Sequence, residues 1–427
     1  MAEKVEFYKE MEFKDTEIGR IPKEWEVVKL GDGKVAEIRG NESIKGTKVI
    51  AFIPMELIPD SGIFARYELR ALENVRSFTF CRSGDLLLAK ITPSLENGKQ
   101  GLVPEDVPGG FALATTEVYP ISCRGIHSTF LFYVLKYPRF RNKIIASMIG
   151  TTGRQRASKE SIKNLVIPFS SLPEQQQIAS ILSTIDDAIQ KTDEVIAKTE
   201  RLKKGMMKEL LTKGIGHKEF KDTEIGRIPK EWKVGRVTDF CDVRTGGTPS
   251  MSHPEYFGGG IKWIRSGDIH KKHIYDVEGR ITELGMINSN AKLLPKDIVL
   301  VALNGRGKTR GSVAILKVEA ACNQSIAAIV LQDKGDPEYL MYHLENRYEE
   351  LRNITGDKDR SGLNLRIIGN LPVALPTPQE QQRIAVILST IDEKLELFRK
   401  ERAKLIRLKD GFMRELLTGK IRVKVQS

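Results

Sequence analysis

Apolar residues follow a helical period in two separate stretches of the chain. The first runs through Ile178, Ile181, Ile185, Ile189, Val195, Leu202, Met206 and Leu210, in steps of three, four or their sums. The second, Ile384, Ile387, Ile391, Leu395, Phe398, Leu405, Phe412 and Leu416, follows steps of the same kind. Such steps place side chains on one stripe of an α-helix, with the narrow width of a helix–helix seam. Each stretch starts just past a proline, Pro173 or Pro378, and about 40 residues of helix rise about 60 Å. A lone helix with so narrow an apolar stripe needs a partner, and each stripe is the complement of the other. The expected arrangement is an antiparallel coiled coil related by an internal pseudo-twofold axis. Its packing positions are expected to be Ile178, Ile181, Ile185, Ile189 and Leu202 on the first helix and Ile384, Ile387, Ile391, Leu395 and Leu405 on the second. The alternative is that each helix packs only on its own domain.

Elsewhere the period shortens. DLLLAKI, FALATTEVYPI, DIVLVAL and SVAILKV are branched and aromatic runs set between Gly, Pro, Asn and Ser, which reads as strands joined by turns. Helices are expected around residues 128–147 and 338–354. The fold class is therefore α+β, or mixed α/β, with two such domains joined by two long helices. The expected divisions are 1–172, a first domain with its N-terminal segment; 173–213, the first long helix; 214–377, a second domain; and 378–427, the second long helix and tail.

The two halves are copies at their ends and strangers in the middle. EFKDTEIGRIPKEW occupies residues 12–25 and again 219–232. EQQQIASILSTID at 174–186 matches EQQRIAVILSTID at 380–392, and RLKKGMMKELLT at 201–212 matches RLKDGFMRELLT at 407–418. Trp25 and Trp232, inside the duplicated blocks, are expected to anchor structural joints.

Composition changes this picture mainly through charge. Lys plus Arg exceeds Asp plus Glu by 12, which draws polyanions to the surface and makes nucleic acid the first partner to consider. A hydrophobic fraction of 40% with 29% charged residues is ordinary for a globular chain. No long apolar run and no signal-like N-terminus are present, so no membrane association and a cytoplasmic location are expected. The four cysteines and six histidines show no metal-ligand spacing, and no metal site is expected.

Catalytic motifs fail on inspection. NGRGKT at 304–309 follows a strand-like run, but Ala302 stands where a phosphate-binding loop needs its first glycine and the chain continues as a strand. Its Asn304, Arg306, Lys308 and Arg310 suit DNA phosphates and base edges instead. No methyltransferase loop or nuclease carboxylate set is found, so no catalytic residue is assigned. In GTTGRQRASKESIK, 150–163, turn formers carry Arg154, Gln155, Arg156 and Lys159, the planar donors and cations that read bases and bind phosphate. The matching stretch 355–366 offers Lys358, Arg360 and Asn364. Unlike residues at equivalent positions would read unlike sequences.

The chain as a whole resembles the DNA-specificity subunits of type I restriction-modification systems. The resemblance is carried by the twice-used IPKEW, by GGTPSMSHPEYFGGGIKWIRSGDI at 246–269, by ITPSLENGK at 91–99, by Asn323–Gln324 and by the EQQxIAxILSTID helix starts. It implies two target-recognition domains reading a split double-stranded DNA site, joined by helices that set the spacing. It also implies docking of two modification subunits and of restriction/translocase subunits. No cofactor is expected on this chain; S-adenosylmethionine, ATP and Mg belong to the partners. The motifs bring Lys90, Thr92, Asn97, Lys99, Thr248, Ser250 and Arg265 into the candidate DNA surface. The competing readings are a stand-alone two-headed DNA-binding protein and a protein-only coiled-coil scaffold.

Overall fold

The computed structural model describes residues 6–44, 48–151, 153–305, 307–332, 335–354 and 362–424. The chain divides into two compact units, Met1–Val195 with Arg399–Ser427, and Ile196–Phe398. These divisions differ from a linear reading because they cut both long helices, Leu172–Lys213 and Pro378–Leu416. Each unit therefore holds one mixed domain, the first half of the helix that follows it and the last half of the other.

Both helices start the same way. A proline sits in the first turn, where backbone amides have no intrahelical partner to lose. The first glutamine of each EQQ motif then ties the start to the domain. Gln175 Nε2 donates to the Ser170 carbonyl at 2.8 Å and Oε1 accepts the His127 amide at 2.8 Å. Gln381 does the same with the Pro376 carbonyl and the Asp336 amide, both at 3.0 Å. The preceding glutamate receives the indole: Trp25 Nε1 donates to Glu174 at 2.9 Å, and Trp232 Nε1 to Glu380 at 3.0 Å. Both tryptophans are 1% exposed, which makes them the structural anchors the duplication suggested.

In the first unit, Ile178, Ala179 and Leu182 share a core with Met413 and Leu416 of the other helix and with Phe130 and Tyr133 of the domain helix Ser128–Lys136. In the second, Met207, Leu210 and Leu211 meet Ile384, Ala385 and Leu388 around Tyr339 and Tyr342 of helix Pro337–Asn346. Within each unit the helices thus pair with each other and also dock on the domain. Ion pairs give the pairing its sense. Lys409 Nζ lies 2.6 Å from Asp186, and about two turns further along the first helix and back along the second Arg402 pairs with Asp193. In the second unit Lys203 lies 2.8 Å from Asp392. The direction is antiparallel in both.

Of the expected seam, Ile178, Ile185, Ile384 and Leu395 are buried, and Ile181, Ile189, Ile387, Ile391 and Leu405 are partly buried. Leu202 is a correction, because it is 56% exposed. Its neighbour Lys203 turns inward instead, since Asp392 and the Tyr342 ring supply what a buried ammonium needs.

That joint is built twice. Tyr133 Oη donates to Asp186 at 2.8 Å beneath Lys409, and Tyr342 Oη donates to Asp392 at 2.7 Å beneath Lys203. The second joint takes an extra cation: Lys272 Nζ reaches Asp392 at 2.5 Å and Glu345 at 2.8 Å. Burial alone would raise the Asp392 carboxyl, but Lys272 and Lys203 outweigh it and hold it below its usual value.

The first domain carries two four-stranded sheets. One runs Gln100–Leu102, Leu86–Ala89, Val118–Cys123, Ala36–Ile38; the other runs Glu68–Ala71, Val49–Ile53, Phe111–Ala114, Thr79–Arg82. The second domain has a five-stranded sheet, Cys241–Thr245, Ile326–Leu331, Ile298–Ala302, Val313–Leu316, His273–Ile274, and a three-stranded one, Arg280–Ile281, Phe257–Ile264, Ala321–Cys322. Leu86–Ala89 and Ile298–Ala302 are buried along their whole length, as central strands covered on both faces must be. The helix expected at 128–147 is two, Ser128–Lys136 and Pro138–Ala146, because Tyr137 before proline is extended at φ −70°, ψ 127°. The leading repeat of each unit pairs with the strand before the long helix, Glu26–Lys29 with Val166–Phe169 and Lys233–Arg236 with Pro372–Leu375. In the first unit the chain ends also pair, Phe7–Lys9 with Ile421–Val423. Arg422 clasps this junction through Glu174 at 2.6 Å and Glu10 at 2.7 Å.

His343 sits inside helix Pro337–Asn346, and burial, with Arg347 nearby, pushes its imidazole down to about 3 from 6.5. Its folded-state value lies below the unfolded one, so its contribution is intact above about pH 6.5 and is lost as pH falls toward 3. The expected slope is about 1.4 kcal/mol per pH unit in that window. His343→Leu should flatten the fall of unfolding free energy between pH 6.5 and 4.5; an unchanged slope would place the acid sensitivity elsewhere.

Candidate nucleic-acid interface

Two of the candidate loops follow the C-terminal ends of fully buried strands, Lys90 and Thr92 after Leu86–Ala89 and Asn304 after Ile298–Ala302. In the first domain the loop after Leu86–Ala89 runs beside residues 153–156, which form a hairpin with Ile149 and Gly150. The Ala157 amide donates to the Lys90 carbonyl at 2.8 Å and the Thr92 amide to the Gln155 carbonyl at 3.0 Å. Ile91, Thr92, Gly153, Arg154, Gln155 and Arg156 line a cleft of about 300 Å³ between them. Two segments far apart in sequence thus form one surface. Gly150, at φ +137°, makes the tight hairpin possible, because a Cβ there would lie 2.6 Å from the Arg154 carbonyl oxygen.

Within that surface the side chains divide. Arg154, Lys159 and Asn97 are exposed. Arg156 is also exposed but is held at 2.7 Å by Glu117. Thr92 donates its hydroxyl to Glu96 at 2.7 Å. Lys90 lies 4.9 Å above the Tyr119 ring, and burial lowers its ammonium below the usual value. Lys99 turns inward and donates to the carbonyls of Met55 and Ile58 at 3.1 and 2.9 Å, so it braces the loop rather than facing outward. Lys136, pushed down to about 8 by burial, braces the same loop through the Gly98 carbonyl at 2.9 Å.

The second domain brings together the equivalent elements. The Leu363 amide donates to the Leu303 carbonyl at 3.0 Å, and Gly362 packs against Asn304. Leu303 in turn donates to the Ser325 carbonyl at 2.9 Å, beside Gln324. Thr248 Oγ1 donates to Gln324 Oε1 at 2.6 Å, and the Asn323 amide to the Ile264 carbonyl at 2.9 Å, next to Arg265. The GGTPS glycines explain this closeness: a Cβ on Gly246 would lie 1.7 Å from the Cys322 carbonyl oxygen. Asn304, Thr248, Ser250, Arg265 and Lys308 are exposed on this edge. Ser250 Oγ is 2.7 Å from Ser252 Oγ. Arg310 is half-buried, with Nη2 donating to the Arg352 carbonyl at 2.9 Å. Asn364 is committed differently from a base reader: its Oδ1 accepts the Ile367 amide at 2.9 Å and caps helix Leu365–Gly369. Ser158 caps Lys159–Lys163 in the same way at 2.9 Å, so the two loops end on matched helix caps. Arg306, Lys358 and Arg360 lie outside the described residues.

Sequence reasoning passed over Gln324, whose exposed carboxamide shares this edge with Thr248 and Asn304; its place in the Asn–Gln pair was the available signal. Lys136, Lys272 and Arg141, whose Nη2 donates to Gln100 Oε1 at 3.0 Å, were also passed over, since nothing local in the sequence marks a lysine or arginine as an internal brace. Among the described residues, no group of His, Cys, Asp and Glu is arranged to hold a metal ion, and no helix is long and apolar enough to cross a membrane.

Comparison with known proteins agrees with this duplicated architecture. The type I restriction modification DNA specificity domain matches residues 22–201 and again 229–407. The MjaVIII specificity subunit of Methanocaldococcus jannaschii is 29% identical over 98% of both chains, and the putative MjaX specificity subunit of that organism is 30% identical over 98% of this chain and 99% of its own. Among solved structures, the type I restriction-modification S subunit from M. genitalium superposes with a TM-score of 0.59 at 15% identity, covering 92% of this chain and 96% of its own. A chain of a type I R-M assembly gives 0.56 at 19% identity, covering 94% and 99%. These two share the fold. With its two matched domains and full-length relatives, the chain belongs to the type I restriction modification DNA specificity family, as a non-catalytic specificity subunit.

Proposed function

We propose that this chain reads a split double-stranded DNA target, one half-site with each domain, and serves as the platform on which two modification subunits and the restriction/translocase subunits assemble in the cytoplasm. The observation that carries the reading is the contrast between joints and loops. The joints Trp25–Glu174 and Trp232–Glu380 are duplicates. The loops they present are not: where Ala157 pairs with Lys90 in one domain, Leu363 pairs with Leu303 in the other, so that Lys90, Ile91 and Thr92 stand opposite Leu303, Asn304 and Gly305. Duplicated mounts suit two copies of one partner, and unlike loops suit unlike half-sites. S-adenosylmethionine, ATP and Mg belong, on this reading, to the partner subunits.

Selection from a randomised duplex library, with the protein purified together with its partner subunits, tests the reading. The expected result is two short unlike motifs at a fixed, sequence-free separation. One contiguous motif would favour a stand-alone regulator, and no enrichment with partners present would favour a protein-only scaffold.

A further inference from the structure

We infer that Ile149 reads the C5-methyl group of a thymine in the half-site of the first domain. The inference rests on the DNA-recognition reading above and names one of its contacts.

Ile149 is 75% exposed, yet it sits on fixed backbone. Its amide donates to the Arg156 carbonyl and its carbonyl accepts the Arg156 amide, both at 2.9 Å. Residues that exchange both bonds are directly opposed, so their side chains leave the same face of the hairpin. Ile91 pairs with Arg156 from the other side and completes a three-residue ladder. The turn beyond is closed by the Arg154 amide on the Thr151 carbonyl at 2.9 Å. A β-branched side chain on such a ladder is stiff at χ1. Ile149 is therefore presented in a set position rather than trailing from a free loop.

A single exposed isoleucine is common and needs no explanation by itself. Its company gives this one a meaning. Arg154, Arg156 and Lys159 belong to the same short segment, and Arg156 shares its face. The Glu117 carboxylate holds the Arg156 guanidinium at 2.7 Å, which fixes its direction beside the isoleucine. Cations that draw a duplex onto this hairpin bring groove edges against an aliphatic surface. Of the groups that natural bases expose in the major groove, the thymine methyl is the apolar one, and apolar contact with it is a recognised mode of readout.

The test uses the protein with its partner subunits and duplexes carrying the selected site, with each thymine of the first half-site replaced singly by deoxyuridine, which lacks only that methyl. The expected result is one position where the replacement weakens binding about three- to fivefold, the scale of one buried methyl group. Ile149→Ala should weaken binding to the all-thymine duplex by the same factor and abolish the deoxyuridine effect at that position. Ile149→Val should retain part of it, and the second half-site should be indifferent to both variants. A deoxyuridine penalty that persists in Ile149→Ala overturns the inference. So does the absence of any sensitive thymine in the first half-site, or a loss in Ile149→Ala without deoxyuridine sensitivity, which would mark a wedge between base steps. Failure of the library selection itself would instead remove the DNA-recognition reading on which this contact depends.

Discussion

Asp392→Ala is expected to destabilise the second unit by about 2–3 kcal/mol, less than the loss of one partner from a fully buried ionic set, because the side chains around it are only partly buried. Lys203 and Lys272 both converge on this carboxylate, and Tyr342 Oη donates to it. Without it, Glu345 alone faces two ammonium groups, at 3.4 Å and 2.8 Å. Asp186→Ala should weaken the first unit by less, because there one ammonium, Lys409, loses its carboxylate. Denaturant unfolding of the full chain, followed by tryptophan fluorescence and by a probe in each unit, reads the two effects separately. Replacing Lys203, Lys272, Asp392 and Glu345 together by apolar residues of similar size should restore much of the loss, since no uncompensated charge of the set then remains. A loss below about 1 kcal/mol in Asp392→Ala would mean that the lysines reach water when released, and that the joint is held by its apolar core.

Arg154→Ala should remove discrimination in one half of the target and leave the other half untouched. A side chain that makes a bidentate base contact contributes about 1–3 kcal/mol of discrimination, or about 5- to 150-fold. Lys159→Ala, at the start of the short helix Lys159–Lys163, should weaken binding to all duplexes alike and reduce the salt dependence by about one phosphate contact. Competition binding against single-base variants of both half-sites separates these outcomes. Uniform loss from Arg154→Ala would move that arginine to the backbone of the duplex.

Much of the architecture was legible because it is repeated. Matching blocks at both ends of each half, with periodic apolar steps, announce two long helices and two domains without reference to any contact. The details that escaped are those decided by tertiary partners. Leu202 fits the stripe, yet Lys203 takes the inner position because an aspartate and a tyrosine ring receive it. Lys99 looks like a DNA-facing cation in a basic loop, but two carbonyls of another segment claim it. Asn364 looks like a base reader and is a helix cap. Conversely, the pairing of residues 90–92 with 155–157, and of Leu303 with Leu363, joins loops that the sequence presents as unrelated. Local composition shows which residues are able to meet DNA; long-range hydrogen bonds decide which are left free to do so.

The junction of the chain ends gives the two halves different ways of coming apart. In the second unit the passage from Lys213 to the strand Phe220–Thr223 is continuous chain. In the first, the matching passage is a three-residue zipper, Phe7–Lys9 on Ile421–Val423, locked by one guanidinium. Pulled from its termini, the molecule would yield there first, peeling one bond at a time and releasing the C-terminal half-helix from the first core. In the second unit the matching passage is covalent and offers no such seam. Under load, a molecule built as a near-duplicate of itself thus has a weak side and a strong side.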